Sequence, residues 1–212
     1  AKEVGGDHFD YASMMNDSKF GISVFDVSGK GMQAAMSAVF TSGAFASEVS
    51  SVRSPSDKGL LTENQSASAA EILTRLNKAV YAHTKRGHFV AFLLAIIDVQ
   101  ERTLTFANAG QMKPLLSVRS PSAEGIPSEG KSNGSVQWLD SVGVSFPLGM
   151  KEDSEYGERT LQLNAGDTLL LLTDGFTEAM NPTREQFGTE RIERIVQQFD
   201  SASSSQQILE RI

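Results

Sequence analysis

The feature that most constrains the fold is a strand pattern that ends on an acidic residue and passes through a glycine turn into a helix pattern. It occupies residues 20–40, FGISVFDVSGKGMQAAMSAVF. Ile22 and Val24 alternate with small residues, which predicts a strand with one buried face. The glycines of the SGKG segment permit the tight turn that follows. The pattern therefore predicts that Asp26 is held at a rigid strand end.

Two further acidic sites sit beside glycine turns. In residues 168–178, TLLLLTDGFTE, a buried strand is predicted to run to Thr173 and to stop at Asp174. In residues 5–10, GGDHFD, acidic side chains follow a glycine pair. Each Asp alone most simply caps a turn. Together the three sites predict a centre in which two hard cations, held by oxygen ligands, activate a water for phosphoryl transfer.

Six short motifs occur in a fixed order along nearly the whole chain. They are GGDHFDY (5–11), DVSGKGMQAAM (26–36), FANAGQMKPLL (106–116), PLGM (147–150), LLLLTDGFTEAMN (169–181) and FG (187–188). Each motif alone is weak, but the ordered series is specific. The series resembles the type-2C (PPM) metal-dependent protein phosphatases, in the bacterial branch typified by SpoIIE and RsbU.

The resemblance implies an α+β fold with a central antiparallel β-sandwich flanked by helical layers. It implies two Mn²⁺ or Mg²⁺ ions and a water between them that attacks phosphoserine or phosphothreonine without a covalent phosphoenzyme. By motif, Asp26 would bridge both ions, the Val27 carbonyl would be a ligand, and Asp174 would hold the second ion. Asp7 would bind a metal directly or through water, and Asp10 is a weaker candidate in the same motif.

The resemblance also implies partners. The expected substrate is a phosphorylated regulatory protein such as an anti-sigma-factor antagonist. Residues 1–212 are expected to form one phosphatase domain, truncated at both ends and preceded by a sensory or signalling domain; a homodimer stays open. The expected location is the cytoplasm, either alone or as the cytoplasmic part of a membrane-attached protein. The family's closing Asp-Asp motif is missing before Ile212, so weak metal binding and low activity are expected.

Composition excludes several classes of function. The chain has no cysteine, which rules out a thiol nucleophile and thiolate zinc sites. Its net charge is −7, which argues against nucleic-acid binding. No apolar run approaches the roughly 20 residues of a membrane span, so no membrane contact is expected from this domain. His83 and His88 have no metal-spaced partners and are given no chemical role.

Apolar periodicity predicts two helices. One covers residues 31–48 and the other residues 69–84, which follow a Ser68 to Glu71 capping-box pattern. The first helix is expected to pack a small-residue face on the sheet. That face would consist of Met32, Ala35, Met36, Val39, Gly43 and Ala46.

Strand and loop patterns complete the outline. Residues 89–97, FVAFLLAII, predict a strand buried on both faces, paired in a hairpin with residues 102–106. Polar compositions predict surface loops over about 50–67 and 117–135. The second loop contains GIPSEGKS (125–132), which matches a phosphate-loop pattern by letter. It follows a loop rather than a buried strand, and we interpret it as a chance match.

Two other functions are compatible with parts of the sequence. A metal-poor version of the domain would be a regulatory module that binds a phosphorylated protein without hydrolysing it. GGDHF is also one letter from the GGDEF signature of diguanylate cyclases. That alternative leaves DVSGKG and TDGFTEA unexplained, and only four residues precede Gly5 where the cyclases have a long segment.

Overall fold

A computed structural model describes residues 6–14, 18–53, 68–84, 88–118, 135–199 and 203–211. The elements, in chain order, are β1 (His8–Met14), β2 (Lys19–Val27), α1 (Met32–Arg53), α2 (Ala69–His83), β3 (Val90–Asp98), β4 (Thr103–Ala109), β5 (Leu115–Val118), β6 (Ser135–Trp138), β7 (Glu158–Gln162), β8 (Thr168–Leu170), α3 (Asp174–Thr177), α4 (Thr189–Gln197) and α5 (Ser205–Arg211). Antiparallel sheets with separate helices confirm the predicted α+β class.

The chain divides into two compact units. The first consists of Ala1–Met112 and Ser141–Gln162, and the second of Lys113–Asp140 and Leu163–Ile212. Each has its own sheet and its own apolar core. That both belong to one phosphatase domain stays a prediction.

The first unit contains a five-stranded antiparallel sheet in the order β1-β2-β3-β4-β7. The continuous apolar run predicted a strand buried on both faces, and β3 has that character, with Phe92 to Ala95 at most 1% exposed. The Phe92 ring stacks on Phe25 of β2 with centroids 5.1 Å apart. The hairpin of β3 and β4 is confirmed, with Asp98 paired to Thr103.

Strand register brings parts of the first two sequence motifs, GGDHFDY and DVSGKGMQAAM, to one end of this sheet. His8 pairs with Phe25, so the start of β1 lies beside the end of β2. Val27 pairs with Val90, so the start of β3 lies on the other side of β2. We call this edge, made of the start of β1, the end of β2 and the start of β3, the Asp26 end of the sheet.

Both predicted helices are present, but the predicted packing face of α1 is wrong. Met32, Met36 and Val39 are 74%, 67% and 74% exposed. The residues that α1 buries are Ala34, Ala38, Thr41, Phe45 and Val49. Small and apolar residues occur all round this helix, so periodicity does not select one face.

Helix α2 follows its sequence pattern closely. Ser68 Oγ accepts a hydrogen bond from Glu71 N, and Glu71 Oε2 accepts one from Ser68 N, each at 3.2 Å. This reciprocal pair is the predicted capping box. Its buried face is Ala69, Ile72, Leu73, Leu76, Asn77 and Val80.

The second unit contains a three-stranded sheet in the order β6-β5-β8. Leu115, Leu170, Ile192 and Val196 form its core. Trp138 packs against this core, and its Nε1–H donates to Glu193 Oε1 at 2.5 Å. This hydrogen bond joins helix α4 to strand β6.

The predicted buried strand up to Thr173 is shorter than expected. Strand β8 ends at Leu170, which pairs with Leu115, and only Leu170 of its residues is buried. Asp174 therefore lies on helix α3 rather than directly at a strand end.

The two predicted loops are also shorter than expected. Helix α1 continues to Arg53, and strand β5 includes Ser117 and Val118. The remaining parts, 54–67 and 119–134, lie outside the described residues, as does the phosphate-loop-like match. Among the helices that the structure describes, none has the length and apolar character to cross a bilayer.

Asp98 closes the β3–β4 hairpin. Its Oδ1 accepts hydrogen bonds from Glu101 N at 2.9 Å and Gln100 N at 3.0 Å, and its Oδ2 lies 3.3 Å from Lys19 Nζ. The Glu101 N–H, the Lys19 ammonium and the Gln100 N–H together hold the pKa of Asp98 below its ordinary value, against the opposing effect of burial.

We expect Asp98→Asn to lower the free energy of unfolding at pH 7 by about 1 kcal/mol. Because the folded-state pKa is lowered, the stabilisation is complete above the ordinary pKa and is lost as pH falls through the folded value. The urea-unfolding energies of wild type and variant should therefore converge in acid. Asp153→Asn, at an exposed turn, is the control. A difference that stays constant from pH 7 to pH 3 would contradict this account.

Candidate metal centre

Two oxygen atoms converge at the Asp26 end of the sheet, next to Gly6. A Cβ atom added to Gly6 would lie 2.6 Å from the carbonyl oxygen of Val27 and 2.8 Å from Asp26 Oδ1. Only glycine allows this close approach. A backbone carbonyl and a carboxylate are the donor types that hard divalent cations prefer.

The structure places Asp7 beside this pair. Asp7 directly precedes β1, and the pairing of His8 with Phe25 puts it next to Asp26 across the two strands. Asp7 is exposed, and Asp26 is half-buried. The first unit thus brings together three of the predicted ligand residues, Asp7, Asp26 and Val27.

Asp10 occupies a different position. It pairs with Ser23, well inside the β1–β2 ladder. Its Oδ1 accepts a hydrogen bond from Tyr11 N at 2.8 Å, and its Oδ2 accepts one from Ser42 Oγ of α1 at 3.2 Å. Asp10 Oδ2 therefore joins β1 to α1, whereas Oδ1 bonds within β1 itself.

The turn that follows Asp26 is braced by the start of β3. Ser28 N donates to Phe89 O at 2.9 Å, and Phe89 N donates to Ser28 Oγ at 2.9 Å. Gly29 and Gly31 have φ angles of 100° and 75°, which favour glycine. These contacts extend the β2–β3 pairing by one residue and hold the Val27 carbonyl in place.

His88 lies on the same turn. Its Nδ1 is 3.4 Å from Ser28 O, and its Nε2 is 3.4 Å from Gln33 Nε2. A Cβ atom on Gly29 would contact the imidazole at 3.7 Å. Sequence reasoning gave His88 no role, because the contact depends on strand register between positions 60 residues apart.

Asp174 belongs to the second unit. It is the first residue of α3, and its carbonyl oxygen accepts hydrogen bonds from Thr177 Oγ1 at 3.0 Å and Glu178 N at 2.8 Å. Nearby, Phe176 meets Phe187 edge to face at 5.8 Å. The FG motif thus packs beneath the TDGFTE turn, which leaves Asp174 exposed.

The residues present fit a hard divalent cation in the chemical type of their donor atoms. Beside Gly6 the first unit offers two oxygen donors, Asp26 Oδ1 and Val27 O, with Asp7 alongside. Within the described ranges, no group of three or more His, Cys, Asp or Glu side chains is arranged to hold a metal ion. The donor set therefore suits Mg²⁺ or Mn²⁺ at one position, and the two-ion centre stays a prediction.

Comparison with known proteins identifies relatives. A family model described as Stage II sporulation protein E (SpoIIE) matches residues 16–212. Protein IcfG of Synechocystis sp. is 29% identical over 209 residues, which cover 91% of this chain and 30% of IcfG. Phosphoserine phosphatase RsbU of Bacillus subtilis is 24% identical over 178 residues, which cover 84% of this chain and 44% of RsbU. The chain thus spans less than half the length of either relative.

Solved structures share the fold. The SiaA-PP2C domain of Pseudomonas aeruginosa superposes with a TM-score of 0.72 at 22% identity, covering 98% of this chain and 72% of that one. The SpoIIE PP2C phosphatase domain of Bacillus subtilis, solved with a fragment of its regulatory domain, gives 0.66 at 16% identity, covering 98% and 52%. These likenesses confirm the predicted PPM-type fold and favour it over a diguanylate cyclase. Since the family model covers nearly the whole sequence, the chain belongs to the SpoIIE family of PP2C-like phosphatases.

Proposed function

We propose that the chain is the phosphatase domain of a longer regulatory protein and hydrolyses phosphoserine or phosphothreonine in a partner protein. The observation that supports this most is the convergence of Asp26 Oδ1 and Val27 O beside Gly6. Both oxygens belong to the DVSGKG motif, which lies within the residues that the SpoIIE family model matches. The relative RsbU is a phosphoserine phosphatase, which is an activity of the same class.

Asp26 and the Val27 carbonyl are the proposed ligands of one ion, with Asp7 bound directly or through water. Asp174 is proposed as a further ligand on its motif alone. When bound, Mn²⁺ or Mg²⁺ would lower the pKa of the attacking water and offset charge on the phosphoryl oxygens. The paired Ser28 and Phe89 backbones keep the Val27 carbonyl in a fixed direction. Because the chain has no cysteine, a thiol-phosphate intermediate plays no part.

The proposed partner is a phosphorylated regulatory protein, such as an anti-sigma-factor antagonist. The length of the curated relatives supports further domains, and we propose a sensory or signalling domain upstream and a cytoplasmic location. A homodimer is compatible with this arrangement. In this proposal the partner protein carries the phosphoryl group, and the Asp26 end of the sheet holds the metal ion that acts on it.

One observation favours a second candidate. Within the described residues no group of three or more His, Cys, Asp or Glu side chains is arranged to hold a metal ion. A domain that holds an ion weakly would bind a phosphorylated protein without turning it over. The assay below separates the two functions.

We expect Mn²⁺-dependent hydrolysis of p-nitrophenyl phosphate, and Asp26→Asn to reduce kcat/KM on the order of 100-fold or more, since it removes a ligand charge. Asp174→Asn should act in the same direction. Asp10→Asn is the matched control, because Asp10 lies in the same motif region but bonds to Tyr11 and Ser42. The 212-residue chain and a version extended at its C-terminus should both be assayed. If both versions bind Mn²⁺ but neither hydrolyses the substrate, the result would favour the binding module. An equal loss of hydrolysis in the Asp26 and Asp10 variants would contradict the assignment of Asp26 as a metal ligand.

A second prediction concerns the space beside Gly6. We expect Gly6→Ala to weaken Mn²⁺ binding by at least about 10-fold, because its methyl group would overlap the Val27 and Asp26 oxygens. Electron paramagnetic resonance of free Mn²⁺ measures this directly. Gly43→Ala is the control, since a Cβ there meets nothing within 4 Å. Unchanged affinity in Gly6→Ala would remove the Gly6 cradle from the proposed site.

A further inference from the structure

Asn77 is a fully buried polar residue in the middle of α2. Its Nδ2 donates to the carbonyl oxygens of Lys151 at 2.9 Å and Glu152 at 2.8 Å, and its Oδ1 accepts from Gly149 N at 2.9 Å. One amide therefore satisfies three backbone groups of a single turn, residues 149–152. No apolar side chain of the same size could do this.

The same turn is attached to the start of β3. Leu148 N donates to Val90 O at 2.8 Å, and Val90 N donates to Leu148 O at 2.9 Å. Gly149 has a φ angle of 79°, and a Cβ there would lie 3.0 Å from Thr84 Oγ1 and 3.1 Å from Val80 Cγ1. The turn is thus held tightly between α2 and β3.

The start of β3 in turn supports the proposed metal ligand. Val90 pairs with Val27, and Phe89 exchanges two hydrogen bonds with Ser28. Hydrogen bonds therefore alternate with single peptide links between Asn77 and the Val27 carbonyl. Asn77 bonds to Gly149, the neighbouring Leu148 bonds to Val90, and the neighbouring Phe89 bonds to Ser28, which follows Val27.

We infer that Asn77 is a positioning residue for the metal-binding edge: it fixes the 149–152 turn, which fixes the start of β3 and with it the Val27 carbonyl. This inference rests on the proposed function for its consequence in metal binding. It assigns to α2 a role in the site although α2 supplies none of the proposed ligands. Without the amide, three backbone groups of the turn lose this partner, and of the three only Lys151 O keeps another among the described residues, Ser154 Oγ, so the turn is held less firmly.

Amide hydrogen exchange of the metal-free 212-residue chain tests the bracing itself. We expect Asn77→Ala to accelerate exchange at the amides of Leu148, Val90 and Ser28 well beyond the acceleration at central β3 amides. Leu73→Ala is the matched control, because Leu73 is a fully buried residue of the same helix and acts through core packing. It should accelerate exchange in proportion to the loss of global stability only. The same local pattern in both variants, or none in Asn77→Ala, would overturn the inference.

A double-mutant cycle with Gly149→Ala tests the link to metal binding. Each single variant should weaken Mn²⁺ binding about 10-fold, as residues that orient a ligand do. The double variant should be little weaker than either single one, because both act through one turn. Wild-type affinity in Asn77→Ala, or additive effects, would overturn the proposed coupling. Absence of Mn²⁺-dependent hydrolysis in both the 212-residue wild type and its C-terminally extended version would instead contradict the proposed function, which keeps the two failures distinct.

Discussion

The placement of the candidate site depends on the register of β2 between β1 and β3. Side chains alternate between the faces of a strand, so a slip of one residue would turn Asp26 to the opposite face. The ladder on both sides of β2 prevents this, with His8 opposite Phe25 and Val27 opposite Val90. The stacked rings of Phe25 and Phe92 add apolar packing at the same level. The chemistry at the edge is therefore a consequence of the core beside it.

Local sequence patterns predicted helices and strands well where an element buries one face or all of its residues. The periodicity of α2 and the apolar run of β3 each have one interpretation, and both were confirmed. The packing face of α1 could not be predicted, because small residues surround that helix. The early end of β8 is set by its pairing with β5, in which Leu170 opposite Leu115 is the last pair, and that pairing exists only in the folded sheet. Long-range pairing is the information that a single sequence does not display.

The residues of the candidate site likewise fall into those that the sequence predicted and those that it did not. Asp7, Asp26 and Asp174 were predicted from acidic residues beside glycines, whereas the brace formed by His88, Phe89 and Asn77 was not. These residues are ordinary by type and become relevant only through contacts across 60 or more positions. A carboxylate next to a glycine turn suggests chemistry by itself. A buried amide or an aromatic residue does so only when its partners are known.

The close approach of Gly6 to the Val27 carbonyl has a consequence for genetics. A ligand that belongs to the backbone is retained in every substitution at its own position, so replacing Val27 alters core packing and leaves the oxygen in the chain. If the Val27 carbonyl is the ligand that we propose, mutational scanning would detect it at other positions, those of the residues that orient the carbonyl or leave space beside it. A map of the positions at which substitutions reduce function would therefore not identify Val27 as a ligand. It would identify the small or buried residues around the Val27 carbonyl.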